Sequence, residues 1–215
     1  MFHNIKNNWM SFYDSKRLFI KTIFTSILTL FALYIWAMWL PINETRGHGV
    51  QIYDIIHNMF GPYDLSLPIF ITLHINMVLF FFYALSKPRH LFIALLSYSL
   101  MIIIRIIAMA LIPLEAPETI IPLRDPISEI SQNGNIILND LFFSGHTSTL
   151  LLMYYNTYHQ KLRHWFLFNS LLMGSMVILQ HVHYSIDVIA AIFFSYGCYR
   201  LAYKINFEWY FSDKN

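Results

Sequence analysis

Apolar positions along this chain fall into six long runs, at about residues 18–40, 67–86, 91–114, 141–159, 165–180 and 185–204, separated by short polar breaks. Within the runs the apolar residues are continuous rather than alternating, and each run approaches the roughly 20 residues that cross a hydrocarbon core as a helix. The pattern predicts an all-α, polytopic membrane protein: a bundle of six transmembrane helices forming a single membrane domain over residues 1–215. The first run follows Lys6, Lys16 and Arg17, is too long for a cleaved signal sequence and lacks a small-residue cleavage site, so it is expected to be retained as a span.

Two polar connections interrupt the runs. In Val50 to Phe60, the apolar residues Ile52, Ile55, Ile56, Met59 and Phe60 recur at helical spacing opposite Gln51, Asp54, His57 and Asn58, which predicts a helix lying in the membrane interface. The second, from Pro113 to Leu138, carries four prolines and sets Glu115, Glu118, Asp125 and Glu129 against Arg124. A connection of that length without regular structure is functional or mobile as a rule.

Composition narrows the class and charge orients it. The chain is 57% hydrophobic and only 12% charged, with a mean hydropathy of +0.49, against roughly 25% charge in a soluble domain. A net charge of +2 spread over scattered basic residues gives no surface for nucleic acid. Cys198, the only cysteine, rules out an internal disulfide or a cysteine-built zinc site. Of the 14 Lys and Arg, all but three fall on the side that holds both termini and the 87–90 and 160–164 turns; Arg46 and Arg124 lie on the other side, and Arg105 lies within a span. The positive-inside rule then makes both termini cytoplasmic. It places the start of the fourth span and the turn before the sixth together on the non-cytoplasmic face.

Those two places carry the candidate chemistry. Asn139 to Thr147 reads Asn-Asp-Leu-Phe-Phe-Ser-Gly-His-Thr, and His181 to Asp187 reads His-Val-His-Tyr-Ser-Ile-Asp. His183 and Asp187 stand four apart, a spacing that stacks them on one helix face. A histidine so held has its tautomer fixed and its charged form stabilised, as a nucleophile requires. His146 on a facing helix could protonate a leaving alcohol. Ser144 and Gly145 sit at a helix start, where backbone N–H groups favour an oxyanion. Together these residues suit phosphoryl transfer through a phosphohistidine, with no metal and no cofactor required.

Ser-Gly-His-Thr at 144–147 followed by His-Tyr-Ser-Ile-Asp-Val at 183–188 resembles the type 2 phosphatidic acid phosphatase superfamily, and within it the sphingomyelin synthase branch. That branch reads Cys-Gly-Asp-x-x-x-Ser-Gly-His-Thr and His-Tyr-Thr-x-Asp-Val; here Leu138-Asn139 replaces Cys-Gly, and Asp140 is kept. The ordinary lipid phosphatases carry Lys-x6-Arg-Pro and an arginine six residues before the second histidine, where this chain has Val177. The resemblance implies catalytic roles for His146, His183 and Asp187, with Asp140 as a supporting acid. The branch's arginine-containing third-span motif is echoed by Arg105 ahead of Pro113. It implies a phospholipid donor and a lipid alcohol acceptor, or water, within the bilayer. The alternatives are a phosphatase of lipid phosphomonoesters and, from another class, a non-catalytic lipid-binding or transport bundle.

Several polar residues remain. Arg105, deep in the third span with no carboxylate in its own helix, calls for an anion, and a lipid phosphate would serve. His74 reads as a hydrogen-bonded core histidine and His181 as a rim or capping residue. Asp54 and His57 read as the wet face of the interfacial helix, with a lid as the alternative. Trp36, Trp39, Tyr155, Trp165, Tyr203 and Trp209 near span ends read as interface anchors.

Overall fold

The computed structural model describes residues 9–10, 16–47, 49–124 and 137–211. In order its helices are α1 (Lys16–Glu44), α2 (Ile55–Met59), α3 (Ser66–Leu85), α4 (Pro88–Leu111), α5 (Gly145–Tyr155), α6 (Gln160–Leu179) and α7 (Ser185–Phe211). The expected all-α class is observed: among the described residues no strand forms, and an isolated parallel bridge pairs Val50 with Leu114. Residues 125–136 of the long polar connection and the side chain of Trp209 lie outside what is described.

Among the described residues five helices are long and apolar enough to cross a membrane: Phe19–Glu44, Ser66–Leu85, His90–Leu111, Gln160–Leu179 and Ser185–Asn206. The chain is thus a multi-pass membrane protein. The run at 141–159 differs from expectation. Its helix, α5, has 11 residues, about 16 Å of rise against a hydrocarbon core of about 30 Å. Residues 137–144 ahead of it are not helical, because polar groups from three other segments hold their backbone, as described below.

Side-chain bonds show which connections share an end. The Trp9 indole donates to the Leu85 carbonyl, and Tyr158 N–H donates to the Tyr83 hydroxyl, so the N-terminal segment meets the α3–α4 and α5–α6 turns. At the opposite end Arg46 donates to the carbonyls of Met109 and Ala110, satisfying the last turn of α4. The Gln180 carboxamide there joins Leu65 N–H, the Ser66 hydroxyl and the Ile121 carbonyl. The two chemistry-bearing stretches lie at this second end together.

Packing follows membrane rules. Helix α1 lies against α4, α4 against α7, and α5 between α6 and α7. Small and hydroxylated residues line the α1–α4 seam, where the Thr29 and Ser99 hydroxyls meet at 2.8 Å. Ile20, Phe24, Ile27, Leu30 and Phe31 of α1 stay on the outside. That inversion of the soluble pattern is expected where lipid is the solvent, because close approach and hydrogen bonds then hold helices together. Of the expected anchors, Trp165 stays exposed while its indole donates to Asn76 at 2.9 Å, and the ring of Trp36 is drawn inward to 5.9 Å from the Arg105 guanidinium.

Candidate active site

The non-helical segment before α5 is built from borrowed partners. Glu44 accepts from the N–H groups of Leu138 and Asn139 at 3.1 and 2.9 Å, and the Asn43 carboxamide donates to the Asn139 carbonyl at 2.7 Å. From α4, Arg105 donates through Nε to the Phe143 carbonyl at 2.9 Å and through Nη2 to the Asp140 carbonyl at 3.1 Å. Its Nη2 also lies 2.8 Å from the Asp140 carboxylate. Irregular backbone at membrane depth survives only where such groups are answered within the protein. Sequence reasoning left Arg105 without an acid; Asp140 is that acid, across the bundle, and it is presented to Arg105.

Helix α5 starts at Gly145 because Ser144 caps it: the Ser144 hydroxyl accepts from Thr147 N–H and the Thr147 hydroxyl. The Ser144 N–H itself donates to the Asp187 carbonyl at 3.1 Å, which ties the start of α5 to the start of α7. That N–H and hydroxyl are therefore committed. Gly145 lies under the arginine. A Cβ there would sit 2.5 Å from Nη1 and 2.8 Å from Cζ of Arg105, so glycine is what lets the guanidinium reach the helix start.

His183 and Asp187 are not two residues of one helix. Helix α7 begins at Ser185, and His183 belongs to the 180–184 turn. Its Nδ1–H still reaches Asp187 Oδ2, at 3.2 Å. The same oxygen accepts from Tyr184 N–H at 3.2 Å; a carboxylate at the third helical position accepting from the capping residue's N–H is the returning half of a capping box. Asp187 is fully buried and His183 nearly so, and Asp187 Oδ1 has no hydrogen-bond partner. A carboxylate bonded to Nδ1 leaves Nε2 as the imidazole's available lone pair. The half-buried ring of His146 stands 6.4 Å from that of His183, edge to face.

The turn that carries His183 is tightly specified on both flanks. Helix α6 ends in a Schellman arrangement, with Val182 N–H on the Val177 carbonyl and His181 N–H on the Ile178 carbonyl. His181 holds the left-handed position at φ 59°, where glycine is favoured. Its imidazole is buried, not on the rim: Nε2–H donates to the Phe60 carbonyl at 3.0 Å and Nδ1 accepts from the Thr119 hydroxyl at 2.6 Å. It stacks on His57 at 4.1 Å.

Asp54 and His57 also depart from the wet-face expectation. Asp54 accepts from Ser185 N–H and the Ser185 hydroxyl, at 2.6 and 3.0 Å, so it caps α7 from outside, while also capping α2 through Ile56 N–H. Burial pushes its carboxyl up, but these bonds outweigh burial and hold it below the usual aspartate range. His57 Nε2–H donates to the His183 carbonyl at 3.2 Å. Burial first, and then the neighbouring His181, hold His57 below the ordinary histidine value. The spacing of Asp54 and His57 showed that they share a face; what that face meets depends on a contact 131 residues away. His74, by contrast, bonds the Phe70 carbonyl of its own helix, as a core histidine does.

Residues 139–205 match the family model described as PAP2 superfamily C-terminal. No curated protein and no solved structure matches the chain. The matched stretch holds Asp140, Ser144, Gly145, His146, His183 and Asp187, and Arg105 lies outside it. The match supports the type 2 phosphatidic acid phosphatase superfamily, and an enzyme of the lipid phosphatase or phosphotransferase kind, as what this part of the chain is similar to.

Proposed function

We propose that the chain is a membrane lipid phosphotransferase that cleaves a phospholipid phosphodiester through a phosphohistidine and passes the phospho-head group to a lipid alcohol or to water, as a sphingomyelin synthase-like enzyme would. The observation that carries this reading is the facing pair of imidazoles, His146 and His183, at 6.4 Å, with His183 held through Nδ1 by the buried Asp187. That spacing lets both rings approach the same phosphoryl group.

In this scheme Nε2 of His183 attacks phosphorus and the phosphorus–oxygen bond to diacylglycerol breaks. His146 gives its proton to the departing oxygen, so the alcohol leaves neutral. Asp187 stabilises the positive charge that grows on the His183 ring. The phosphate oxygens lie at the start of α5, with the positive end of its dipole behind Gly145. The second half runs in reverse: His146, now deprotonated, takes the proton of the acceptor hydroxyl, whose oxygen attacks phosphorus and breaks the nitrogen–phosphorus bond. Arg105 adds positive charge at the helix start while Asp140 and two carbonyls fix its position. The site faces the non-cytoplasmic side on the positive-inside argument, and the short α5 with its non-helical lead completes the fourth crossing.

Charge favours a diester over a monoester. A phosphomonoester carries close to two negative charges, and its sites collect several cations. At this end of the bundle Arg46 is committed to the carbonyls of α4 and Arg105 is paired with Asp140. The runner-up is the phosphomonoester phosphatase, which the family match favours equally because it covers both kinds of enzyme. Thin-layer analysis of products from purified protein with labelled phosphatidylcholine, phosphatidylethanolamine and phosphatidic acid decides between them. Diacylglycerol should form faster from either diester, with a second lipid product when ceramide or another lipid alcohol is supplied. Preferential release of free phosphate from phosphatidic acid makes the phosphatase reading correct.

A further inference from the structure

The segment 50–60 has two unlike sides. Of residues 51–60, only Asp54 and His57 are withdrawn from the surface. Beyond the pairing of Val50 and Gln51 with residues 113–116, its inward hydrogen bonds fall on the turn that carries His183 or beside it. Asp54 takes Ser185 N–H and hydroxyl, His57 donates to the His183 carbonyl, the Phe60 carbonyl accepts from His181, and Ile52 N–H meets the Tyr184 hydroxyl at 3.4 Å. The outward side shows large apolar groups: Val50 is 64% exposed, Tyr53 79%, Ile55 65% and Met59 69%. It carries no charge, since Asp54 is turned inward. The amides of Asn58 and Gln51 are spent on the carbonyls of Asp54 and Ala116.

A surface of that kind in water would be a liability. Here its surroundings name its occupant. At the same end of the bundle Leu67, in the first turn of α3, and Leu111, at the end of α4, are also exposed, so the spanning helices present apolar side chains to lipid at the end that carries the segment. Tyr53 and Tyr63, both exposed, are residues favoured at the head-group level of a bilayer. An uncharged apolar face at the end of the lipid-facing helices, with exposed tyrosines, fits the boundary between head groups and acyl chains.

We infer that residues 50–60 form a strap seated in the head-group–acyl boundary of the bilayer and clamped to the His183 turn, with Asp54 as its positioning residue. Membrane contact and the placement of His183 then belong to one structural unit. The seating is independent of the reaction proposed above; the clamp rests on that reading.

Two measurements on the full chain test the two halves separately. In a Cys198→Ala background, an environment-sensitive fluorophore is attached to a single cysteine replacing Ile55, Met59 or Glu118, and the protein is placed in phosphatidylcholine vesicles with bromine high on the acyl chains. Positions 55 and 59 should be quenched by the bromolipid, and position 118, in an exposed charged loop, should be quenched only by aqueous iodide. Iodide quenching at 55 and 59, or protection from both quenchers as beneath a protein partner, overturns the seating. For the clamp, Asp54→Ala should lower kcat about tenfold, with KM and bromolipid quenching at 59 unchanged. Asp54→Asn, which keeps one of the two acceptor oxygens, should restore part of the loss. A wild-type rate in Asp54→Ala, or a loss that Asp54→Asn does not recover, overturns the clamp whatever the quenching shows.

Discussion

Gly145→Ala isolates the contact on which the start of α5 depends. In an exposed helix interior this change stabilises by roughly 0.5–1 kcal/mol, because alanine has less backbone freedom to lose. Here the new methyl would meet Nη1 of Arg105 at 2.5 Å and Cζ at 2.8 Å, well inside van der Waals contact. The guanidinium has little freedom to retreat: Nε is bonded to Phe143 and Nη2 to Asp140. Overpacking of this kind costs about 1–3 kcal/mol, so the sign should reverse. Thermal unfolding in detergent should show a midpoint several degrees below wild type. The decisive form is a double-mutant cycle with Arg105→Met, which removes the clashing atoms. Arg105→Met alone destabilises, since it strands the Asp140 carboxylate and two carbonyls. In that background Gly145→Ala should be neutral or stabilising, with a coupling of at least about 1 kcal/mol. Additivity within about 0.5 kcal/mol would mean that Arg105 does not lie over Gly145 and would refute this account of the helix start.

The remaining predictions concern chemistry, pH and sidedness. His183→Ala should abolish any covalent phospho-adduct, whereas His146→Ala should slow its formation by about 10²- to 10⁴-fold yet leave lipid binding intact; a stable adduct on the His183→Ala protein would refute the assignment. His57 is held below its ordinary value of 6.5 by burial and by His181, against the opposing pull of Asp54 and Asp187. The closed strap therefore binds fewer protons than the open one, its stability is full above about pH 6.5, and it weakens as pH falls below that. Emission from a fluorophore at position 59 should shift as pH falls from 7 to 5, and His57→Gln should remove the transition; a flat profile counts against the strap contacts. Burial raises the Asp54 carboxyl, but its hydrogen bonds from Ser185 and Ile56 outweigh burial and hold it low, so its contribution should persist until pH falls below the ordinary 3.8. In intact cells, an impermeant thiol reagent should label a cysteine at Val182 and spare one at Arg163, and the opposite pattern would put the site in the cytoplasm.

What the sequence made legible is what depends on composition and local spacing. Five spans could be read because lipid demands about 20 apolar residues in a row, and the shared end of the two polar stretches followed from counting charges. His183 and Asp187 could be paired from their separation, although the helix starts between them. The Arg105–Asp140 ion pair joins residues 35 apart in sequence, and no periodicity links them. The shortening of α5 was hidden for the same reason: Leu141, Phe142 and Phe143 are as apolar as the residues of a span, and only the donors at Arg105 and Asn43 and the acceptor at Glu44 reveal that the backbone of Leu138, Asn139, Asp140 and Phe143 is bonded sideways. His181 left one overlooked signal. It stands just past the end of an apolar run with no glycine nearby to take the left-handed turn, a place where a bulky residue survives only if its side chain is held.

The broken fourth run and the borrowed cap on α7 have one physical cause. The proposed phosphoryl-transfer site draws on helix starts, because N–H groups and the positive dipole end are there, yet a helix start inside a bilayer exposes donors that lipid cannot satisfy. Starting α5 and α7 side by side, tied through Ser144 N–H and the Asp187 carbonyl, lets each answer part of the other's deficit. Ser144 caps α5, Asp187 and Asp54 cap α7, and Arg105 and Glu44 hold the chain that leads in. On this argument the polar residues around the site are not separate adornments of an apolar bundle. They let two helices begin below the membrane surface, and Asn43→Ala or Glu44→Ala, remote from either histidine in sequence, should loosen the α5 start without touching a reacting atom.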